Sequence, residues 1–197
     1  MDNLTDAVTQ EIWDLEAASF DDEPDHGLAD PRVRAAWREL LLGVLPPAPR
    51  RVADLGCGTG TLTRLLVDEG YGVDGVDISP EMIRLARSKV PEADFRVGDA
   101  SAPGLDAAAY DVVLCRHVLW AMPDPVTAFA SWVELLAPGG EAVLVEGRWG
   151  NGAGLGADEA EAIVRTARSE VTVRHLPEDV FWGKTINDER YLLTSRS

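Results

Sequence analysis

A short apolar segment, residues 51–55, leads into a turn with glycine at three alternate positions, Gly56, Gly58 and Gly60. Such a turn after a parallel strand lets a bulky, polar ligand approach the main chain closely. The spacing discriminates between ligands. The dinucleotide fingerprint would require glycine at residue 61, which is threonine, and a Walker-type phosphate loop would require a lysine, which residues 50–80 lack. The turn therefore favours a nucleoside without phosphates.

Beyond residue 50, strand patterns alternate with helix patterns. The predicted strands are residues 51–55, 72–76, 93–97, 110–115, 141–146, 170–176 and 189–194. The predicted helices are residues 61–69, 126–136 and 156–169, with another that begins at the capping pair Ser79-Pro80. This alternation predicts an α/β sheet covered on both faces. Residues 177–188 show no helical pattern, so the last two strands can pair in antiparallel fashion.

Four motifs follow one another in a fixed order. They are Asp54-Leu55-Gly56-Cys57-Gly58-Thr59-Gly60, Gly98-Asp99-Ala100, Tyr110-Asp111-Val112-Val113-Leu114 and Leu136-Ala137-Pro138-Gly139-Gly140. In this order, and with Asp77 at the end of the second strand, residues 50–197 resemble the class I S-adenosylmethionine-dependent methyltransferases. The resemblance implies a doubly wound, Rossmann-like sheet of seven mostly parallel strands that ends in an antiparallel hairpin. It also implies S-adenosyl-L-methionine as cofactor and S-adenosyl-L-homocysteine as product.

The resemblance assigns a set of residues to this cofactor. They are Asp54, Gly56, Cys57, Gly58, Gly60, Asp77, Ile78, Met82, Asp99, Ala100 and Arg116. The glycines would form the floor under methionine and ribose, and Asp99 with Ala100 would bind the adenine. Asp77 ends a strand at the edge where open α/β sheets bind ligands, so its carboxylate can accept from both ribose hydroxyls. The alternative for Asp77 is a role at the start of the next helix, and for Asp99 a loop cap.

Residues after the fourth and fifth predicted strands are expected to face the methyl acceptor. His117 is either a general base or a wall of the transfer pocket, and His26 is a second candidate base. The residues predicted to bind substrate are Trp120, Glu146, Arg148 and Trp149. Tryptophan suits a pocket for an apolar or cationic molecule, although core packing explains any one of them equally well.

The first 45 residues have a different pattern. Two helices are predicted, over residues 4–18 and 30–42, separated by an acidic turn-rich loop and followed by Pro46, Pro47 and Pro49. In the family that the chain resembles, an N-terminal helical lid commonly covers the active site. Residues 1–45 are therefore expected to form such a lid on a cofactor-binding core of residues 50–197, within a single domain.

Composition excludes several classes of function. The 18 basic and 34 acidic residues give a net charge of −16, which disfavours nucleic acid and anionic membranes as partners. No apolar run is long enough to span a bilayer, and the acidic start is unlike a signal peptide. Two cysteines make no disulfide framework, and three histidines are not spaced as metal ligands. A cytoplasmic protein without a metal, monomeric or homodimeric, is expected.

The predicted function is direct, in-line transfer of a methyl group to an oxygen, nitrogen or carbon nucleophile of a small molecule. Two alternatives stay open. The chain could be a non-catalytic, S-adenosylmethionine-binding regulatory protein, or an enzyme of the same fold that uses the cofactor pocket for other chemistry.

Overall fold

The computed structural model describes residues 3–196, with side chains from residue 10 onward, and this part of the chain forms one seven-stranded sheet. The strands are β1 (Arg51–Leu55), β2 (Gly72–Asp77), β3 (Asp94–Val97), β4 (Tyr110–Arg116), β5 (Leu136–Arg148), β6 (Glu170–His175) and β7 (Glu189–Arg196). The helices are α1 (Asn3–Glu16), α2 (Pro31–Val44), α3 (Thr61–Asp68), α4 (Pro80–Lys89), α5 (Pro125–Glu134), α6 (Ala157–Val164) and α7 (Asp179–Trp182).

The strand order is β3-β2-β1-β4-β5-β7-β6. β1 to β5 run parallel, whereas β7 pairs in antiparallel fashion with both β5 and β6. The predicted fold is confirmed, including the antiparallel hairpin. The order reverses at β1, which lies between β2 and β4, and ligands of open α/β sheets bind at the carboxyl ends of the strands beside such a reversal.

Local sequence chemistry explains where the helices begin. The Ser79 hydroxyl accepts a hydrogen bond from the Met82 N–H at 3.0 Å, and Pro80 occupies the first helical position of α4. Asp124 caps α5 in the same way by accepting from the Thr127 N–H at 3.1 Å. A side-chain acceptor before a proline satisfies an otherwise unpaired N–H, so these starts are visible in the sequence.

The second half of the chain departs from the predicted boundaries in three places. β5 begins at Leu136, five residues before the predicted strand, and α6 ends at Val164 instead of residue 169. The connection predicted to lack helix contains the short α7, whose Phe181 and Trp182 are buried. This turn of helix is held by the burial of the two aromatic rings against distant parts of the chain. The local sequence pattern therefore does not predict it.

α2 belongs to the core and not to a detachable lid. Its Trp37 and Leu41 are fully buried in one cluster with Val52 of β1 and Val112 of β4. The Trp37 indole N–H also donates to the Phe181 carbonyl at 2.6 Å. The lid prediction therefore applies only to residues 3–29, which we call the lid segment.

Within residues 3–196, every helix is too short or too polar to cross a membrane.

Candidate active site

The glycine turn, residues 56–60, adopts backbone conformations that favour glycine. Gly56, Gly58 and Gly60 have φ angles of 66°, 54° and 76°. A Cβ atom on Gly56 would lie 2.3 Å from Cγ2 of Val118, whereas one on Gly58 would meet only the Phe20 ring, at 3.4 Å. Gly56 therefore lets the loop after β4 approach, and Gly58 leaves main chain open to the space under Phe20.

Gly60 lies where the glycine turn packs against the helix α4. It is the residue that precedes α3, and a Cβ there would lie 3.1 Å from the Cβ of Ala86 on α4. Gly60 is also outside the lining of the cavity described below. Its place in the structure is a close contact between turn and helix, so the predicted contact with a cofactor is not supported at this residue.

Asp77 ties three elements together at the carboxyl edge of the sheet. Its Oδ2 accepts from the Gly58 N–H at 2.8 Å, and its Oδ1 accepts from the Ser79 N–H at 2.9 Å. Burial raises the pKa of the carboxyl, and the two backbone donors oppose this shift. Each oxygen still has a free lone pair, so both can accept from a bound diol.

Asp54 and Cys57 lie beside Asp77 and are buried. The Thr63 hydroxyl on α3 donates to Oδ2 of Asp54 at 2.6 Å, and burial raises the pKa of Asp54 to about 6. Burial also holds the pKa of the Cys57 thiol well above its ordinary value, and the neighbouring carboxylates add to this effect. Cys57 therefore stays a neutral thiol, which fits a small wall residue and not a nucleophile.

One cavity brings most of the predicted residues together. Those on its wall are His26, Asp54, Gly56, Cys57, Gly58, Asp77, Ile78, Met82, Asp99, Ala100, Arg116 and His117. The cavity therefore joins every predicted cofactor residue except Gly60 with both candidate bases. The wall also contains residues that were not assigned to the site from sequence: Trp13, Phe20, Thr59, Thr61, Leu62, Val118, Ala121, Met122 and Pro123.

The Asp99 carboxylate is engaged within its own loop. Oδ1 accepts from the Ser101 N–H at 2.8 Å, and Oδ2 accepts from the Ser101 hydroxyl at 2.6 Å. The loop-capping alternative is thus present in the structure. Asp99 nevertheless lies on the cavity wall beside Ala100, and each oxygen retains a lone pair, so an additional contact with adenine stays a prediction.

His117 follows β4 in a strained conformation, with a φ of 61°. Successive side chains of a strand point to opposite faces, but this left-handed residue interrupts the alternation, so that Arg116 and His117 both reach the cavity. A left-handed residue other than glycine costs on the order of 1–3 kcal/mol and is held by its surroundings. Here the His117 N–H donates to the Val145 carbonyl at 2.8 Å.

Two tryptophans support the His117 ring. The Trp182 ring stacks on it at 5.9 Å between centroids, and Trp149 meets it edge-on at 5.2 Å. The Trp120 indole N–H donates to the His117 carbonyl at 3.0 Å. Trp120 and Trp149 thus pack behind His117 and are not part of the cavity wall, although both were predicted to bind substrate. The structure gives them a supporting position.

The structure corrects the placement of Glu146 and Arg148. Glu146 is fully buried, and its Oε1 accepts from the N–H groups of Val118 and Leu119 at 2.9 and 2.7 Å. It therefore holds the backbone after His117 instead of facing a substrate. Arg148 is exposed and forms an ion pair with Glu159. At the end of β5, Glu146 therefore points to the protein interior and Arg148 to solvent. The strand pattern in the sequence did not determine these directions.

Burial sets the pKa values in this part of the site. It lowers the pKa of His117 well below the ordinary value of 6.5, and the positive charges of Arg116 and Arg190 act in the same direction. Burial raises the pKa of Glu146 to about 8. At neutral pH His117 is therefore an uncharged ring, which is able to accept or to donate a hydrogen bond.

The lid segment is attached to the glycine turn through Asp21. Its Oδ1 accepts from the hydroxyls of Thr59 and Thr61 at 2.6 and 3.0 Å, and its Oδ2 pairs with Nζ of Lys89 at 2.6 Å. Desolvation opposes the ionised form, but the lysine and the threonines lower the pKa of Asp21 overall. This cluster of four side chains, the lid clamp, joins residues up to 68 apart in sequence.

A second attachment lies at the end of α1. The Asp14 carboxylate accepts from the Ser79 hydroxyl and from the Glu81 N–H, so it sits at the start of α4. Phe20 follows in the chain and stacks on His26, with ring centroids 4.2 Å apart. The lid segment therefore lies against the glycine turn and contributes three aromatic side chains to the cavity wall, Trp13, Phe20 and His26.

In the part of the chain that the structure describes, no three His, Cys, Asp or Glu side chains lie together as a metal-binding group.

Comparison with known proteins agrees with this geometry. Residues 53–144 match the methyltransferase domain family. An uncharacterized methyltransferase of Mycobacterium tuberculosis is 41% identical over 107 residues, which are 54% of this chain and 44% of that protein. A trans-aconitate 2-methyltransferase of Azoarcus is 38% identical over 124 residues, 62% of this chain and 48% of that protein. The chain thus spans about half the length of these relatives.

Solved structures share the fold at low sequence identity. The geranyl diphosphate C-methyltransferase of Streptomyces coelicolor has a TM-score of 0.71 at 16% identity, with 84% of this chain and 80% of that chain covered. A [4+2]-cyclase has a TM-score of 0.70 at 19% identity, with coverage of 82% and 80%. The domain matched over residues 53–144, the sequence relatives and the shared fold together support a class I S-adenosylmethionine-dependent methyltransferase.

Proposed function

We propose that this chain transfers the methyl group of S-adenosylmethionine to a small molecule. The observation that supports the proposal best is that one cavity joins the glycine turn and Asp77 to the neutral His117 ring. The glycine turn and Asp77 suit a nucleoside. His117 borders the space in which a methyl acceptor would meet that nucleoside.

The residues present fit this cofactor. Gly58 leaves its main chain open beneath Phe20, and Asp77 keeps a lone pair on each oxygen for a ribose diol. Ile78 and Met82 form an apolar part of the cavity wall that suits the adenine ring, next to Asp99 and Ala100. When bound, the cofactor would supply an already activated, electrophilic methyl group.

The protein's contribution is then mainly positioning. The protein would hold the acceptor nucleophile in line with the methyl group, at a separation of about 3 Å. This positioning accounts for much of the rate acceleration in such a reaction. The strained turn at His117, supported by Trp182 and Glu146, fixes one side of the acceptor position. The lid segment, attached by its clamp, excludes water from the other side. His117 can also accept a proton if the acceptor must lose one.

Two alternative functions would use the same cavity, and only a measurement of turnover distinguishes them from methyl transfer. A regulatory protein would bind the cofactor without consuming it. An enzyme of other chemistry is a second possibility, since a [4+2]-cyclase shares the fold. The cytoplasmic location, the monomeric or homodimeric state and the exclusion of nucleic acid stay predictions from the sequence.

The test is a screen of small acceptors that measures release of S-adenosylhomocysteine by the purified chain. The methyltransferase proposal requires acceptor-dependent release and a product heavier by one methyl group in mass spectrometry. Tight cofactor binding with no release across oxygen, nitrogen and carbon acceptors would contradict it and favour the regulatory alternative. Acceptor conversion without release of S-adenosylhomocysteine would favour the other chemistry.

A further inference from the structure

Three polar side chains on the cavity wall have unused hydrogen-bonding capacity. Within residues 3–196, Nε2 of His117 and Nδ1 of His26 are buried and have no hydrogen-bond partner. Arg116 lies on the wall with them. Buried polar atoms are normally paired, so atoms without a partner that line a cavity indicate a ligand.

Arg116 is the charged member of this group. Its Nη2 donates to the backbone carbonyl of Asp25, and its guanidinium stacks on the Trp37 ring with 4.8 Å to the centroid. Among the described residues no carboxylate lies within ion-pair distance of it. In the same part of the chain only Nη2 of Arg116 donates a hydrogen bond, so the donors on Nε and Nη1 are available. A guanidinium with available donors matches the two oxygens of a carboxylate.

The acid that could have neutralised Arg116 is occupied by other cations. Oδ1 of Asp25 pairs with Lys184 at 2.9 Å, and Oδ2 lies 3.6 Å from Arg190. Only the backbone oxygen of Asp25 reaches Arg116. Burial lowers the pKa of Arg116 to about 10, so the guanidinium remains charged at neutral pH. Asp25 and Asp54 attract this charge, but within the described residues neither is in ion-pair contact with it, so the guanidinium favours an anion in the cavity.

The wall beside these groups is apolar. Phe20 stacks on His26, and Val118 and Met122 belong to the same wall as His117. A ligand that uses both surfaces needs an apolar body and one acidic group. The apolar side chains would then replace water around the body, while the cation and the two rings would bind the acid.

From this arrangement we propose that the methyl acceptor is a small amphipathic carboxylic acid, with its carboxylate held by Arg116, His26 and His117. The inference rests on the proposed function, because it names the substrate class of that same cavity. It differs from the assignment of Arg116 to the cofactor, whose own carboxylate is the competing partner. The experiment must therefore distinguish between these two anions.

The test compares two matched pairs of probes on protein saturated with S-adenosylhomocysteine. The pairs are cyclohexanecarboxylate with cyclohexanecarboxamide, and benzoate with benzamide, each titrated by calorimetry. Each acid and its amide share a shape and differ in charge. We expect each acid to bind at least about tenfold more tightly than its amide, which corresponds to about 1.4 kcal/mol.

Variants then assign the preference to Arg116. Arg116→Met should bring acid and amide to within about threefold of each other, whereas Arg116→Lys, which keeps the charge, should retain part of the preference. Arg50→Met is the matched control, because it also removes one positive charge but lies at the amino end of β1, in a 3.6 Å ion pair with Asp111. This control should retain the full preference. Thermal melting shows whether each variant is folded.

Several results would overturn the inference. They are equal binding of acid and amide, binding of neither probe, or a preference that survives Arg116→Met. A loss of S-adenosylhomocysteine affinity in Arg116→Met, with the acid preference unchanged, would assign Arg116 to the cofactor instead. Failure of the wild-type chain to bind S-adenosylhomocysteine would contradict the proposed function, and the probe titrations on cofactor-free protein would still decide the acid subsite.

Discussion

Oδ2 of Asp77 accepts a hydrogen bond from the Gly58 N–H at 2.8 Å, and this contact joins the end of β2 to the turn after β1. The other oxygen accepts from the first residue before α4, Ser79. One buried carboxylate therefore fixes the floor of the cavity and the start of a helix on its wall. Because each oxygen keeps a lone pair, the same group can bind a ligand without losing these contacts.

Replacement of Asp77 should weaken cofactor binding. Asp77→Ala removes two charge-assisted hydrogen bonds to ribose, each of about 1.5–3 kcal/mol at most, so affinity should fall at least about tenfold. Calorimetry with S-adenosylhomocysteine measures this. Asp74→Ala is the control, since Asp74 lies on the same strand but pairs with Arg51 and Tyr110 away from the cavity. Unchanged binding in a folded Asp77→Ala protein would leave Asp77 with a helix-capping role only.

Glu146 should make folding stability depend on pH. Burial raises its pKa from 4.5 to about 8, so between these values the folded chain keeps a proton that the unfolded chain has lost. Its contribution to stability therefore falls as pH rises through this window, by at most about 5 kcal/mol. Glu146→Gln cannot titrate, and its amide oxygen can still accept from Val118 and Leu119. The urea midpoint should accordingly fall less from pH 5 to pH 8 in the variant.

The control for this comparison is Glu159→Gln, since Glu159 is an exposed carboxylate paired with Arg148. It should keep the wild-type dependence on pH. If Glu146→Gln and the wild type show the same change in midpoint, then Glu146 is ionised in the folded protein and the argument from burial is wrong.

His117 is expected to act by position more than as a base. Its pKa lies well below 6.5, so the wild-type rate should show no acid limb near pH 6.5 that comes from this ring. General-base help is typically worth about 10²–10⁴-fold, and we expect His117→Ala to lower turnover by less than about a hundredfold. His117→Phe, which keeps a ring against Trp182, should recover part of it. A loss of about a thousandfold or more in both variants would identify His117 as the base.

The lid clamp should slow the release of a bound cofactor. Lys89→Met removes the ion pair with Asp21 and the donors to Thr59 and Thr61, so the lid segment should open more often. Stopped-flow dissociation of S-adenosylhomocysteine should become severalfold faster. Arg84→Met is a control on the same helix, because Arg84 forms only an exposed pair with Glu81. Equal dissociation rates in Lys89→Met and wild type would mean that the clamp does not limit release.

The strands and helix starts could be predicted because their causes are local. Helix capping at Ser79-Pro80 and the apolar run of β4 each depend only on residues adjacent in sequence. The glycine turn and Asp77 could be found for the same reason, since close backbone approach and a strand-end carboxylate each leave a short signature. Most of the residues assigned to the cofactor therefore line one cavity, and their contact with the cofactor stays a prediction.

Other contacts around the cavity join residues that are far apart in sequence. Lys89 meets Asp21, and Arg116 meets the backbone of Asp25, across 68 and 91 residues of sequence. The inward direction of Glu146 is set by the N–H groups of the loop after β4, and the burial of Trp37 depends on α7. No spacing within one segment encodes these relationships, which is why Phe20, Thr59 and Met122 were not assigned to the site.

Calorimetry measures directly whether the glycine turn and Asp77 form an S-adenosylmethionine site. The purified chain is titrated with S-adenosylmethionine and with S-adenosylhomocysteine by calorimetry, in the presence of a metal chelator. For this assignment we expect saturable heat for both ligands at one site per chain, and a matched loss for both in Asp77→Ala. No heat above background for either ligand, with the protein folded, would contradict it.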